Sequence, residues 1–262
     1  MKNKDLKKVY AGIFRKGYEK TYTSVYTKKV ICGDELTEEI KEVLKEGPWK
    51  NKKVIDVGCG TGLFDSAAAK RGARVLGVDY IPKAIETASQ THKHHNLSYK
   101  VGTALGIKGT YDIIVSIGTL EHMDDPFEVL QNFKRHLNRR GKIIITSPNW
   151  TNPRGYMLQT LFRLFNAPIT LADLHYFTPK TFEVWAKKLK MEISWRTFDN
   201  SWAYGPKLVK DFKKRIPNVL RDANLPKDQR RINDFIRWIE QDVISFDHKS
   251  KFSGALGIYV FS

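Results

Sequence analysis

Residues 54–64 read VIDVGCGTGLF. An apolar, β-branched run ends at Val57, glycines stand at 58, 60 and 62, and helical spacing begins immediately afterwards. Glycine permits a tight turn and close approach of the backbone to a ligand, and the first amides of the following helix face whatever is bound there. The pattern is not the dinucleotide fingerprint G-x-G-x-x-G, because Leu63 stands where its third glycine would fall. Nor does a Lys-Ser/Thr pair follow to make a triphosphate loop. Both of those readings weaken.

Outward from this turn, short β-branched runs alternate with helical patterns, as parallel strands joined by crossover helices do. KKVIDV (52–57), ARVLGVD (73–79), LSYKVG (97–102), TYDIIVS (110–116) and GKIIITS (141–147) are the first five strand candidates. GLFDSAAAKRG, IPKAIETASQTH and PFEVLQNFKRHL are the helices between them, with Gly72 and Gly141 expected as two of the stops. Upstream, DELTEEIKEVLKEGP reads as a helix entered from Asp34 or Thr37 and ended by Gly47 and Pro48. SPNWTNPRGY (147–156) reads as a long loop at the carboxyl end of the fifth strand, the edge where such sheets bind ligands. TPKTFEVWAKKLK then reads as a helix, EISWRTF as a sixth strand, residues 205–245 as a helical insertion and GALGIYVFS (254–262) as the last strand. The expected fold is α/β, a doubly wound and mostly parallel seven-stranded sheet, in a single domain spanning 1–262.

The 262 residues are 41% hydrophobic, enough for one sizeable core. Cys32 and Cys59 have no metal-ligand spacing and are too few for a disulfide scaffold, so a cytoplasmic, reducing setting is expected. The basic N-terminus runs into charged and aromatic residues without a signal-like apolar stretch, and no run is long enough to span a membrane. Net charge is +17, of which residues 1–30 contribute nine Lys/Arg against two acids and residues 207–231 nine against three. Such concentrated charge suits an anionic partner or simply a solvated surface.

Four stretches, VIDVGCGTG (54–62), VLGVDYIPKAI (75–85), YDIIVSIGTLEHMDDP (111–126) and LHYFTPKTF (174–182), resemble the landmark segments of class I S-adenosylmethionine-dependent methyltransferases. Within that class they are similar to the group containing the ubiquinone-biosynthesis O-methyltransferases. The resemblance implies a seven-stranded Rossmann-like core over 50–200 with S-adenosylmethionine on the turn of Gly58, Gly60 and Gly62. Asp79 would hold both ribose hydroxyls, as an acid about 20 residues past the turn does in dinucleotide binders. Tyr80 and Ile81 would flank the adenine, and Asp56 would order the loop or meet the methionine amino group. At 102–104 the chain has Gly-Thr-Ala where the family commonly has Gly-Asp-Ala, so Thr103 offers an uncharged acceptor beside Ala104. Ile117 completes the expected donor set. The resemblance also makes residues 1–48 an N-terminal helical lid: Tyr10, Phe14, Tyr18, Tyr22 and Tyr26 recur every four residues and would form one stripe if helical. Tyr18 and Tyr22 are its candidate acceptor or methionine contacts.

Methyl transfer to a hydroxyl requires alignment of the nucleophile and removal of its proton. His122 in LEHMDDP is the first candidate base, with a loop-bonded structural histidine as the alternative. His175 is the second, and Tyr176 beside it is a candidate substrate contact. The acids around His122 read equally well as helix caps, and His92, His94 and His95 lack a ligand frame, so no metal is assigned. The acceptor is expected to be a small, anionic molecule methylated on oxygen, with nitrogen next. RNA is disfavoured because no Asn/Asp-Pro-Pro-Tyr-type motif replaces IGTLEHM, and quinone chemistry at a membrane surface lacks an evident amphipathic anchor. A catalytically silent cofactor-binding subunit is the rival from outside the enzymes.

Overall fold

The computed structural model describes residues 21–23, 30–32, 36–167, 169–170, 173–244 and 250–262. Contacts group the chain into two compact units, one of Met1–Ser147, Lys180–Trp195 and Ile258–Ser262, the other of Pro148–Pro179 and Arg196–Gly257.

The first unit opens with strands β1 (Thr21–Thr23) and β2 (Val30–Cys32), paired antiparallel with Tyr22 opposite Ile31. The aromatic period therefore does not run as one helix through Tyr22. Thr21, Thr23, Val30 and Ile31 are β-branched and Tyr22 is aromatic, and strand preference there outweighs the four-residue spacing. Tyr10, Phe14, Tyr18 and Tyr26 lie outside the described residues.

Helix α1 (Glu38–Leu44) is capped by Thr37, whose hydroxyl accepts from the Ile40 amide at 3.2 Å. β3 (Lys53–Val57), α2 (Leu63–Lys70), β4 (Arg74–Asp79), α3 (Pro82–Thr91), β5 (Leu97–Val101), β6 (Tyr111–Ile117), α4 (Pro126–Arg135) and β7 (Leu137–Pro148) follow the expected alternation. β4 and β6 lie parallel on either side of β3, β5 pairs parallel with β4, and β7 with β6. β3, β6 and the Ile143–Ser147 part of β7 are almost wholly buried because both sheet faces are covered, and Val54, Ile55, Ile113, Ile114, Ile143 and Ile144 fill the centre. Gly141 is not a helix stop. α4 ends at Arg135, and Gly141 sits in the irregular start of β7, where a Cβ would come within 2.8 Å of the Asp112 carbonyl.

α6 (Pro179–Leu189), numbered after the α5 described below, buries Phe182 and Leu189, and Phe182 stacks on Tyr259 at 3.8 Å between ring centroids. With β8 (Ile193–Phe198) and β9 (Leu256–Phe261) the sheet has seven strands in the order β5-β4-β3-β6-β7-β9-β8, the expected doubly wound architecture. The chain winds outward in one direction from β3 and in the other from β6, so the switch point lies between those two carboxyl ends.

In the second unit, α5 (Pro153–Phe165) begins inside the stretch read as a loop. Asn152 accepts from the Gly155 amide at 2.8 Å as a helix cap, and Pro153 occupies the first helical position, where a missing N–H costs nothing. Asn149, fully buried, donates to the Gly254 carbonyl at 2.8 Å. The asparagines that suggested a loop are thus a satisfied amide network. α7 (Asn200–Ala203) precedes the helical insertion expected over 205–245, which α8 (Gly205–Asp222) and α9 (Gln229–Trp238) bear out. α8 buries Leu208, Val209, Phe212, Ile216 and Val219 against Trp150, Leu158, Ile232 and Ile236, while Lys207, Lys210, Lys213 and Lys214 remain exposed. Among the described residues, no helix is long and apolar enough to cross a membrane.

Candidate active site

β3 ends at Val57, and the chain turns through Gly58, Gly60 and Gly62 with φ of 86°, 54° and 80°. L side chains rarely adopt these values. Two of the three glycines are also required by close packing. A Cβ on Gly58 would fall 2.3 Å from the Thr119 side chain, and one on Gly62 would fall 2.2 Å from the Tyr99 hydroxyl. Gly60 differs, because nothing lies within 4 Å of the place its Cβ would take. The open side of the turn is therefore at Gly60.

Asp79 closes the turn from the end of β4. One carboxylate oxygen accepts from the Gly60 amide at 3.0 Å and the other from the Ile81 amide at 2.8 Å. Each oxygen retains acceptor capacity. Burial raises the Asp79 pKa even though these amides favour the ionised form. The Gly102 amide donates to the Asp79 carbonyl at 3.0 Å, which brings Thr103 and Ala104 to the same edge. Ala104 is anchored through its carbonyl by Asn132 at 2.9 Å, whereas the Thr103 side chain is exposed. Asp56, Gly58, Gly60, Gly62, Asp79, Tyr80 and Ile81 thus converge on one turn, with Ile117 ending the neighbouring strand β6.

Beneath the turn lies a feature that sequence reasoning missed. Asp56 and Asp65 are 2% and 0% exposed, and neither Asp56 Oδ1 nor either oxygen of Asp65 meets a donor among the described residues. Burial, reinforced by the Asp79 charge, pushes Asp56 up to about 8, and burial together with Asp56 raises Asp65 strongly. A bond between two carboxyls requires that one keep its proton. Gly77 on β4 makes the room, since a Cβ there would sit 2.5 Å from Asp65 Oδ2. The available signal was an acid three residues past Gly62 on the inward face of α2.

A carboxyl whose folded pKa exceeds its unfolded value near 4 stabilises the fold fully below that value, and loses the contribution as pH rises through the folded pKa. Asp65→Asn should therefore flatten the decline of the thermal midpoint between pH ~5 and ~8. Scanning calorimetry across that range checks this, and an unchanged slope would show that the two carboxyls do not share a proton.

At the end of β6, Gly118 adopts φ of 54° and its amide donates to the Thr146 hydroxyl at 3.0 Å. Thr146 in turn donates to Glu39 of α1 at 2.5 Å. Glu39 and Glu121 both lie within 4 Å of where a Gly118 Cβ would stand. Glu39 was legible only as a helix-start acid, because its partner is 107 residues away. His122 ends a single 3-10 turn, Leu120–His122, half-buried, with its amide bonded to the Thr119 carbonyl at 3.1 Å. It stands three residues past Thr119, which packs on Gly58.

His175 and Tyr176 lie in the second unit. The His175 ring stacks on Phe177 with 5.6 Å between centroids, and Tyr176 meets Trp150 at 5.3 Å and Phe162 at 4.6 Å edge-on. Of the two acceptor tyrosines expected near the N-terminus, Tyr22 is on β1 and Tyr18 is outside the described residues.

A glycine turn at a topological switch, followed by a buried acid that holds the turn's amide, on a sheet of this strand order, defines the class I methyltransferase fold. Residues 28–193 match the family model described as methyltransferase domain, and the chain belongs to that family, in the S-adenosylmethionine-dependent class. It is 27% identical over 152 residues to a ubiquinone biosynthesis O-methyltransferase of Pseudomonas aeruginosa, a match covering 54% of this chain and 65% of the relative. The match thus spans less than two thirds of that relative's length. Magnesium protoporphyrin IX methyltransferase from Synechocystis, solved with bound S-adenosylhomocysteine, shares the fold with a TM-score of 0.50 and 19% identity over 59% of this chain and 71% of its own. An S-adenosylmethionine-dependent methyltransferase from Mesorhizobium loti shares it with a TM-score of 0.53 and 13% identity, covering 84% of this chain and 95% of its own.

Proposed function

We propose that this chain transfers the methyl group of S-adenosylmethionine to an oxygen of a small, anionic acceptor. The observation that carries donor binding is the turn itself: the space beside Gly60 is open, while Gly58 and Gly62 are packed against protein. In this reading Asp79 receives the ribose hydroxyls on acceptor sites not taken by the Gly60 and Ile81 amides, and Tyr80 and Ile81 border the adenine. Thr103, Ala104 and Ile117 line its edge. The unmatched oxygen of Asp56 orders the turn or meets the methionine ammonium. Bound there, the donor supplies an electrophilic methyl on a sulfonium. The protein aligns the acceptor and accepts its proton, with His122 as the first base and His175 as the second. Tyr176, Tyr18 and Tyr22 are the acceptor contacts of this reading, and a reducing cytoplasm suits the buried thiol of Cys59.

The resemblance to relatives named O-methyltransferases supports oxygen, and the four exposed lysines of α8 support an anionic acceptor. Calorimetry with S-adenosylhomocysteine, followed by labelled donor offered with phosphorylated, nucleotide-linked and phenolic acceptor pools, tests the proposal. Absence of donor binding would end it. The acceptor Michaelis constant should rise with salt while the donor's stays flat, because screening weakens attraction between exposed charges. Charge reversal at Lys213 and Lys214 should reproduce part of that rise, and a salt-independent acceptor constant would leave these lysines as a solvated surface only.

A further inference from the structure

Within the second unit, one carboxylate is shared by two arginines out of contact with most solvent. Arg215 grips Asp211 through Nε at 3.2 and 3.0 Å and through Nη2 at 3.0 Å, and gives Nη1 to the Ile169 carbonyl at 2.7 Å. That alone neutralises Asp211. Arg154, in the first turn of α5, adds a third charge, its Nε donating to Asp211 at 2.9 Å. The side chains of Asp211, Arg215 and Arg154 are only 4%, 7% and 13% exposed. A guanidinium withdrawn from water needs partners for its charge. For Arg154 one of them is Trp150, whose ring lies 5.5 Å from the guanidinium carbon. The two terminal amino groups of Arg154 donate to no described residue. A guanidinium fixed at Nε, laid along an aromatic face and with both Nη groups unspent is preorganised for a two-pronged grip on an oxyanion. Tyr176 packs edge-on against the same Trp150 ring, 5.3 Å between centroids.

We propose that Arg154, backed by Asp211 and Arg215, is an oxyanion receptor that takes a carboxylate or phosphate group of a small molecule.

The test titrates phenyl phosphate and benzoate, by calorimetry, onto the full chain saturated with S-adenosylhomocysteine. Saturable one-site binding of at least one is expected; tighter phenyl phosphate assigns a phosphorylated ligand, tighter benzoate a carboxylate. Arg154→Gln should weaken binding tenfold or more and leave S-adenosylhomocysteine affinity unchanged, while Arg163→Gln, which removes the same charge from the exposed side of α5, should alter it less than twofold. Anion affinity unaltered in Arg154→Gln, an equal loss in Arg163→Gln, or no binding of either anion to the unaltered protein would overturn the receptor. If Arg154→Gln does not fold, the Arg154 Nε resonance of the unaltered protein decides: a shift on adding the anion supports the receptor and no shift overturns it. Anion capture through Arg154 without S-adenosylhomocysteine binding would retain the receptor and remove the methyltransferase reading.

Discussion

Gly60→Val should leave the protein folded and abolish its binding of S-adenosylmethionine. No atom lies within 4 Å of the Gly60 Cβ position, so the new side chain meets no protein and enters the space assigned to the donor. The residual cost is conformational: φ of 54° is expensive for any residue with a Cβ, by about 1–2 kcal/mol, and somewhat more for a β-branched one. Gly60→Ala carries the strain with less bulk and separates the two effects. Gly62→Ala should behave in the opposite way, as a folding defect, because its Cβ would lie 2.2 Å from the Tyr99 hydroxyl. Asp79→Ala belongs to the same experiment. Hydrogen bonds to a charged partner contribute ~1.5–3 kcal/mol each, so losing two should weaken donor binding about a hundredfold or more. Calorimetry with S-adenosylhomocysteine, alongside thermal unfolding, reads both quantities. Normal affinity in a folded Gly60→Val protein would move the donor site elsewhere.

His122→Ala should lower turnover by ~10²- to 10⁴-fold with donor affinity retained, since general base catalysis typically contributes that much. His122 ends the short turn that follows β6, three residues from the threonine packed on Gly58, and is half-buried. His175→Ala is the paired control, because that ring is stacked on Phe177 in the other unit. A loss confined to His175→Ala would transfer the role to it, and modest losses in both would mean that alignment suffices for an acceptor already ionised. The pH profile adds an independent readout: an imidazole base ordinarily produces an acidic limb near pH ~6–7, which should vanish in the responsible variant. A limb persisting in both variants would defeat the histidine-base mechanism.

The strands of the sheet and the helices between them were legible because each carries its own periodicity, and the donor turn because three glycines and an acid lie within 22 residues, Gly58 to Asp79. Local patterns misled where two local signals competed. Tyr22 obeyed the β-branched residues beside it rather than the aromatic period, and Pro153 with Asn152 marked a helix start where prolines and asparagines suggested a loop. Gly141 stood near a helix end but serves a close approach between strands.

The amino-acid sequence by itself determined the fold, the class of donor and the residues of the turn, because those depend on spacing over one or two elements. Tertiary structure alone decided that Asp65 is buried against Asp56, that Glu39 reaches Thr146 and that Arg154 adds a second cation to Asp211. The last two bring together residues 107 and 57 positions apart. A buried charge takes its energy from the partners that folding brings to it, and no local pattern along the chain specifies which those will be.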